Sequence, residues 1–337
     1  MSGAHVLVTG ATGFLGSAVA RGLAGRGAVV HALRRERSDV SALAGVPLVW
    51  HAADLEDPGA LSRAFAAAAT AARGTGAALD VVHLAAGISY RRADRERLQR
   101  VNVEGTRHLL ALASAHGTRR VCHVSSVVAL GPVTRPDQVL EDDAPLRGVE
   151  LDSAYARTKA EAEELVLAAV PRLDVVVASP AVVFGCSHAA SNSLHFVARA
   201  VRGRLGPLCP PGSLSVVGLA DAACGIELVL ARGVRGRRYL LAESAWRLRD
   251  LLGLACRLAG RRPPRLVVPP PAWRALVALA RLGDRVLPSA RATPEALGLL
   301  GLHFRFEARR ARAELGWNPR AFPEVLTEIV EQVRARP

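Results

Sequence analysis

In the stretch SAYARTKAEAE, residues 153 to 163, Tyr155 and Lys159 stand four residues apart, and Lys159 is the one lysine among 44 basic residues, the rest being arginine. A chain that uses arginine almost everywhere keeps lysine here, where a compact, steerable ammonium differs from a broad planar guanidinium. In a helix, residues i and i+4 share a face with Cβ atoms about 5–6 Å apart. Ser153 to Val170 holds good helix formers with no Gly or Pro, so a helix is expected there. A phenol whose ionised form is favoured by a neighbouring cation suits proton delivery to an oxygen as hydride reaches its carbonyl carbon. A second hydroxyl for that oxygen comes from Ser126 at the end of CHVSS, with Ser125 as rival because the doubled serine leaves the strand register open.

A second motif supplies the partner for such chemistry. TGATGFLG, residues 9 to 16, lies between a strand-like run and a helical pattern. In that context Gly10 allows a tight turn, Gly13 lets backbone approach a pyrophosphate, and Gly16 lets helix pack on strand. Thr12, Phe14 and Leu15 complete this candidate dinucleotide contact. At the end of the next strand, VVHALRRER places Leu33 where NAD sites carry an acid, followed by Arg34 and Arg35, so NADP is favoured. Glu36 keeps NAD open, and surface arginine in an arginine-rich chain is the plainer reading of the pair.

These residues require strands that end in a common cleft. The first half alternates apolar runs of four to six residues with helical patterns, through AHVLVTG, AVVHAL, VPLVWH, LDVVHLAA, RRVCHVSS and LDVVVASP. That rhythm predicts an α/β fold, a doubly wound parallel sheet of the Rossmann type with six strands, whose ligands bind at the strands' carboxyl ends. Residues 1–180 are expected to bind the dinucleotide and 181–337 mainly the substrate, with GSLSVVGLADAACGIELVLA, about 213–232, returning a strand and helix to the main sheet.

Composition narrows the partners. The formal charge is +14, but acids interleave with the arginines and aromatics are 4% of residues, which argues against a nucleic-acid surface and for one that attracts anionic cofactors. The densest cluster, from Arg232 to Asp250, is a candidate anion contact. Five scattered cysteines without C-x-x-C argue against a disulfide framework or metal site, and no apolar run reaches a membrane span. A cytoplasmic protein is expected. AWRALVALARLGDRVL, from Ala272, is amphipathic and reads as a helix over the substrate lobe in preference to a membrane contact.

Gly10, Gly13 and Gly16, Asp54 of AADLED, VVHLAAG at 81 to 87, Asn102 of VNVEGT, VSS at 124 to 126, and Tyr155 with Lys159 together resemble the extended short-chain dehydrogenase/reductases, in order and in spacing. YLLAESAWRLRDLLGLACRLAG and RARAELGWNPR are similar to that family's C-terminal lobe, so the resemblance spans nearly the whole chain. It implies that Asp54, with Leu55 beside it, bonds the adenine amino group, and that Ala85, Ala86 and Gly87 line the cofactor with backbone. It further implies that Asn102 is a structural or proton-relay residue, that Pro180, Val182 and Val183 border the nicotinamide, and that Lys159 reaches the ribose. A homodimer through the helices near 102–115 and 155–168 is implied too. On residue type alone, Asp54 also reads as a loop cap and Asn102 as an ordinary helix polar residue.

Departures within that family direct the substrate reading. Its dehydratases carry Asp-Glu after the active-site hydroxyl, whereas this chain has SSVVAL. Its epimerases often show Pro-Tyr-Gly and an Arg-Asp turn, whereas this chain has SAYARTK and LSVVGLAD. The nearer resemblance is to the dihydroflavonol-reductase-like and 3β-hydroxysteroid-dehydrogenase-like members. The expected activity is therefore NADP-preferring reduction of a ketone or aldehyde, or oxidation of a secondary alcohol, on a bulky apolar small molecule. A nucleotide-sugar epimerase using the same Tyr-Lys pair is the alternative, and a non-catalytic NADP sensor a third.

Overall fold

A computed structural model of the chain describes residues 3–135, 137–187, 192–286 and 293–335. Six short apolar runs form β1 (His5–Thr9), β2 (Val29–Arg34), β3 (Leu48–Ala52), β4 (Leu79–His83), β5 (Arg120–Val124) and β6 (Val175–Pro180). A seventh strand, Arg238–Leu241, joins them in a parallel sheet, placed next to β6 in the order Arg238–Leu241, β6, β5, β4, β1, β2, β3. Every residue of β1, β4 and β6 is buried, as central strands covered on both faces must be.

Helices cover the two faces with separate cores. On one face, Val6 and Val8 pack with α1 (Phe14–Gly25) and the helix Leu219–Arg232. On the other, Leu7, Val81 and Val177 pack with α2 (Pro58–Gly74) and the helices Gly105–Ala115 and Ala154–Ala168. The expected helix starts are capped by local chemistry: Asp57 accepts from Ala60 N–H at 2.9 Å, and Ser153 accepts from Ala156 N–H at 3.4 Å.

The return of chain to the main sheet differs from the expectation. Ser213–Gly218 does not enter it; this strand centres a second sheet, between Ser244–Arg247 and His303–Phe304, and also pairs with Val182–Phe184. The helix Leu219–Arg232 does return, packing on α1, and Arg238–Leu241 supplies the seventh strand. Both candidate strands are short apolar runs, so periodicity alone does not say which edge each one finds. The second sheet packs against Asn192–Val201, Leu248–Leu258 and Phe322–Ala335 around Phe184, Leu251, Phe322 and Leu326.

Candidate active site

The sheet order reverses between β1 and β4, and the crevice at their carboxyl ends collects the sequence motifs. Gly10 has φ +70°, and a Cβ there would lie 2.7 Å from Ala85 N, so the first loop passes directly against the end of β4. A Cβ on Gly16 would collide with the Gly10 carbonyl, which lets α1 start tight against the strand. Gly13, exposed at the N-cap, hands the first free N–H groups of α1, at Phe14, Leu15 and Gly16, to the crevice beside half-buried Thr12. The first turn of α1 carries no acid that would repel an anion.

The β4 loop is held from below. Gly87 N–H donates to Asn102 Oδ1 at 2.6 Å, while Asn102 Nδ2 donates to Gly87 O at 3.1 Å and to Thr158 Oγ1 at 3.0 Å. Asn102 is 2% exposed and sits in a π-helical turn, Gln99–Glu104, a wide turn that recurs at functional sites. It thus ties Ala85, Ala86 and Gly87 to the Tyr155 helix. A buried chain continues beneath: Thr106 donates to Asn102 O, and His83 bridges Thr106 and Thr9, whose hydroxyl accepts from Ala85 N–H at 3.0 Å.

The Ser126 side chain, and not that of Ser125, acts on the Tyr155 phenol. Ser125 N–H still donates to Ala178 O of β6 at 2.8 Å, so its side chain points into the protein, whereas Ser126 turns out to cap the 3-10 turn Val127–Leu130. Burial pushes the Tyr155 phenol pKa up, Tyr90 adds to the rise, and Ser126 opposes it. Tyr90 was not singled out from sequence; its ring meets that of Tyr155 edge-on with centroids 6.0 Å apart. Nothing in GISYRR marks it, since the contact spans 65 residues of chain and depends on the loop held by Asn102.

Lys159 is 3% exposed, and its ammonium donates to Val124 O, the end of β5, at 2.8 Å. Burial lowers its pKa to about 8, with Glu163 opposing. Here the structure corrects an expectation: burial, Tyr90 and Ser126 govern the phenol, because the Lys159 ammonium is turned toward the strand end. Its field falls instead on His83, lowered to about 3, and on His123, also lowered, with burial the larger cause in each.

At the end of β2, Leu33 is buried, Arg34 lies over the Trp50 ring at 5.9 Å, and Arg35 and Glu36 are exposed. Asp54 Oδ1 accepts from Glu56 N–H at 3.2 Å, a local cap, and Leu55 packs under Gly105. Pro180 ends β6 buried, while Val182 and Val183 open the strand that crosses to the second sheet. The arginine cluster is largely spent within the molecule: Arg232 donates to Leu315 O, Arg235 to Val170 O, Arg237 to Glu314 and Arg238 to Glu163. The amphipathic stretch forms Pro270–Val286, with residue 287 outside the described residues; Trp273 and Val277 are its buried side, and Arg281 pairs with Asp152 beside the Tyr155 helix at 2.9 Å. The described residues hold no cluster of three metal-ligating side chains, and no described helix is long and apolar enough to cross a membrane.

A parallel sheet with helices on both faces, and a glycine-lined crevice at its switch point, define a Rossmann-type α/β chain. The chain belongs to the NAD dependent epimerase/dehydratase family, whose model matches residues 6–232. It is 33% identical over 344 residues to sterol demethylase protein B of Methylococcus capsulatus, covering 98% of this chain and 98% of that one. It is also 29% identical over 334 residues to a putative dihydroflavonol 4-reductase of Synechocystis, covering 96% and 92%. The crystal structure of gox2253 superposes with a TM-score of 0.83 at 28% identity, covering 98% of each chain.

Proposed function

We propose that this protein is an NADP-preferring oxidoreductase that reduces a ketone or aldehyde, or oxidises a secondary alcohol, on a bulky apolar small molecule. The observation that carries the reading is Tyr155 with Lys159 one helical turn on, its phenol acted on by the Ser126 side chain just past the end of β5. A dinucleotide suits the switch-point crevice, because Gly10 and Gly16 let the loop lie tight against the end of β4 and the start of α1, and the free N–H groups of Phe14, Leu15 and Gly16 with no acid in that first turn favour a pyrophosphate. Gly10, Thr12, Gly13, Phe14, Leu15 and Gly16 would hold its pyrophosphate. Asp54 and Leu55 would flank the adenine, Ala85 to Gly87 the ribose, and Pro180, Val182 and Val183 the nicotinamide. Bound there, the nicotinamide supplies or accepts hydride.

The chain's own part is the oxygen. Ser126 and Tyr155 donate to it, and Tyr155 surrenders its proton as negative charge develops. A phenol with a raised pKa holds that proton at neutral pH, which suits the reductive direction. Lys159, with two N–H donors left after Val124 O, would bond the ribose hydroxyls. Arg34 and Arg35, at the end of β2 where no acid stands, favour the extra phosphate of NADP. Residues 181–337 form most of the substrate lobe, and the relatives named for a sterol and a dihydroflavonol support a bulky apolar substrate.

A panel of apolar ketones and sugar nucleotides tests this reading. Stoichiometric NADPH loss with a ketone is expected. Turnover of a sugar nucleotide without net cofactor change would replace it by an epimerase, in which the hydride removed is returned.

A further inference from the structure

Lys159 carries its ammonium in a buried site, 3% exposed. Its ammonium uses one of three N–H donors on Val124 O, and the ion pairs among the described residues include none to it. The groups around it on other elements are cations or neutral: His83 of β4 and His123 of β5 are held neutral by burial, and Arg238 of the seventh strand carries its own charge. On its own helix Tyr155 is a neutral phenol.

On its own helix the acid on the same face is Glu163, four residues after Lys159; Glu161, two residues on, lies on another face and accepts from Gln99 at 2.9 Å. Its side chain is fully buried. Oε1 accepts from Arg238 Nε, but Oε2 is buried without any hydrogen-bond partner. Arg238 is committed elsewhere as well, donating through Nη1 to Asp142 O at 2.9 Å and Ala144 O at 2.7 Å. The nearby Asp142 carboxylate is occupied by Leu240 N–H at 2.7 Å and Arg310 N–H at 3.2 Å, so it does not compete for Arg238. A carboxylate kept only to pair with Arg238 would use both oxygens in the bidentate form that guanidinium favours. Here one oxygen is left uncommitted, one helical turn from a second buried cation.

We propose that Glu163 is a positioning residue for Lys159: its half-unpaired carboxylate is the counter-charge that keeps the ammonium one turn away in place and in its cationic form, within a buried Lys159–Glu163–Arg238 row. Its use in catalysis rests on the reading of Lys159 given above. The physical logic is that a buried cation without a nearby anion sheds its proton, so removing Glu163 makes Lys159 easier to neutralise.

Because Lys159 is the only lysine, protein grown on lysine labelled with ¹⁵N at Nζ and ¹³C at Cε carries one side-chain signal, and its titration is read directly by NMR. In Glu163→Gln the midpoint is expected to fall by about one pH unit, the scale of a unit charge at this separation in a protein interior. Glu163→Asp should restore most of it. Glu163→Gln combined with Arg238→Met leaves no orphaned charge and guards against simple misfolding; because it also removes a cation, its midpoint is compared with that of Arg238→Met alone and should lie below it. A folded double variant whose Lys159 titrates as in Arg238→Met overturns the proposal. The alkaline limb of kcat/KM should move with the midpoint. If the midpoint moves and the limb does not, the coupling stands and the catalytic reading of Lys159 falls instead.

Discussion

Asn102 grips Gly87 from both sides, accepting from its N–H at 2.6 Å and donating to its carbonyl at 3.1 Å, and with the same amide reaches Thr158 on the helix of Tyr155 and Lys159. One side chain therefore registers the loop after β4 against the Tyr155 helix. Asn102→Asp keeps the shape but loses both Nδ2 donations and buries a charge. It should cost about 1–3 kcal/mol or more in chemical denaturation and weaken NADP(H) binding in calorimetry. Unchanged affinity would separate the loop from the cofactor.

The glycine loop makes a sharper contrast. Gly16→Ala drives a methyl into the Gly10 carbonyl, and both partners are backbone, so the conflict is not relieved by a rotamer change. Dinucleotide binding should fall at least tenfold and stability by about 1–3 kcal/mol. Gly25→Ala, on the same helix with open space around it, should be neutral or stabilise by up to about 1 kcal/mol. Equal behaviour of the two variants in thermal melts and binding assays would refute the packing argument.

The proposed preference for NADP rests on Arg34 and Arg35. NADPH should bind more tightly than NADH, and replacing both arginines with Ala should shrink the gap by about 1–3 kcal/mol. Equal affinities in the unaltered protein would return Glu36 to the ribose and NAD to the site.

On the proposed mechanism Tyr155→Phe removes the proton donor and should lower turnover about 10²-fold or more while cofactor binding holds. Lys159→Arg forces a larger head into a slot 3% exposed and should cost turnover on a similar scale. The two losses should not multiply in the double variant if the residues act as one unit. Full activity in Lys159→Arg would remove that residue from the mechanism.

A ladder of histidines crosses the sheet edge: His5 Nδ1 meets His31 Nε2, and His31 Nδ1 meets His51 Nε2, each at 3.0 Å. Burial and the two neighbouring rings lower the His31 pKa to about 4, from the ordinary 6.5. A base whose folded pKa is depressed stabilises the fold fully above its unfolded pKa. That contribution is lost as pH falls from about 6.5 toward 4. Denaturation midpoints should decline across this window by an amount on the order of 1–3 kcal/mol more than in His31→Gln. Parallel curves for the two proteins would show that the ladder tolerates the proton.

The local arrangements were legible from the chain alone. A helix spaces Tyr155 and Lys159 by its own geometry, and the strand, Gly10-to-Gly16 loop and α1 are one contiguous segment whose form depends on neighbours in sequence. The relations that needed the folded molecule all join distant segments. Ser126 rather than Ser125 reaches Tyr155 because β5 continues its ladder with β6 through Ser125. Arg238–Leu241, not Ser213–Gly218, takes the seventh place in the sheet because the edge beside β6 is shared out among packed elements, not by hydrophobic period. Tyr90 beside Tyr155 and Arg238 on Glu163 are likewise contacts across 65 and 75 residues. Sequence periodicity specifies which face of an element is apolar, but the partner of that face, and the charge that a buried lysine finds there, is decided only when the layers close.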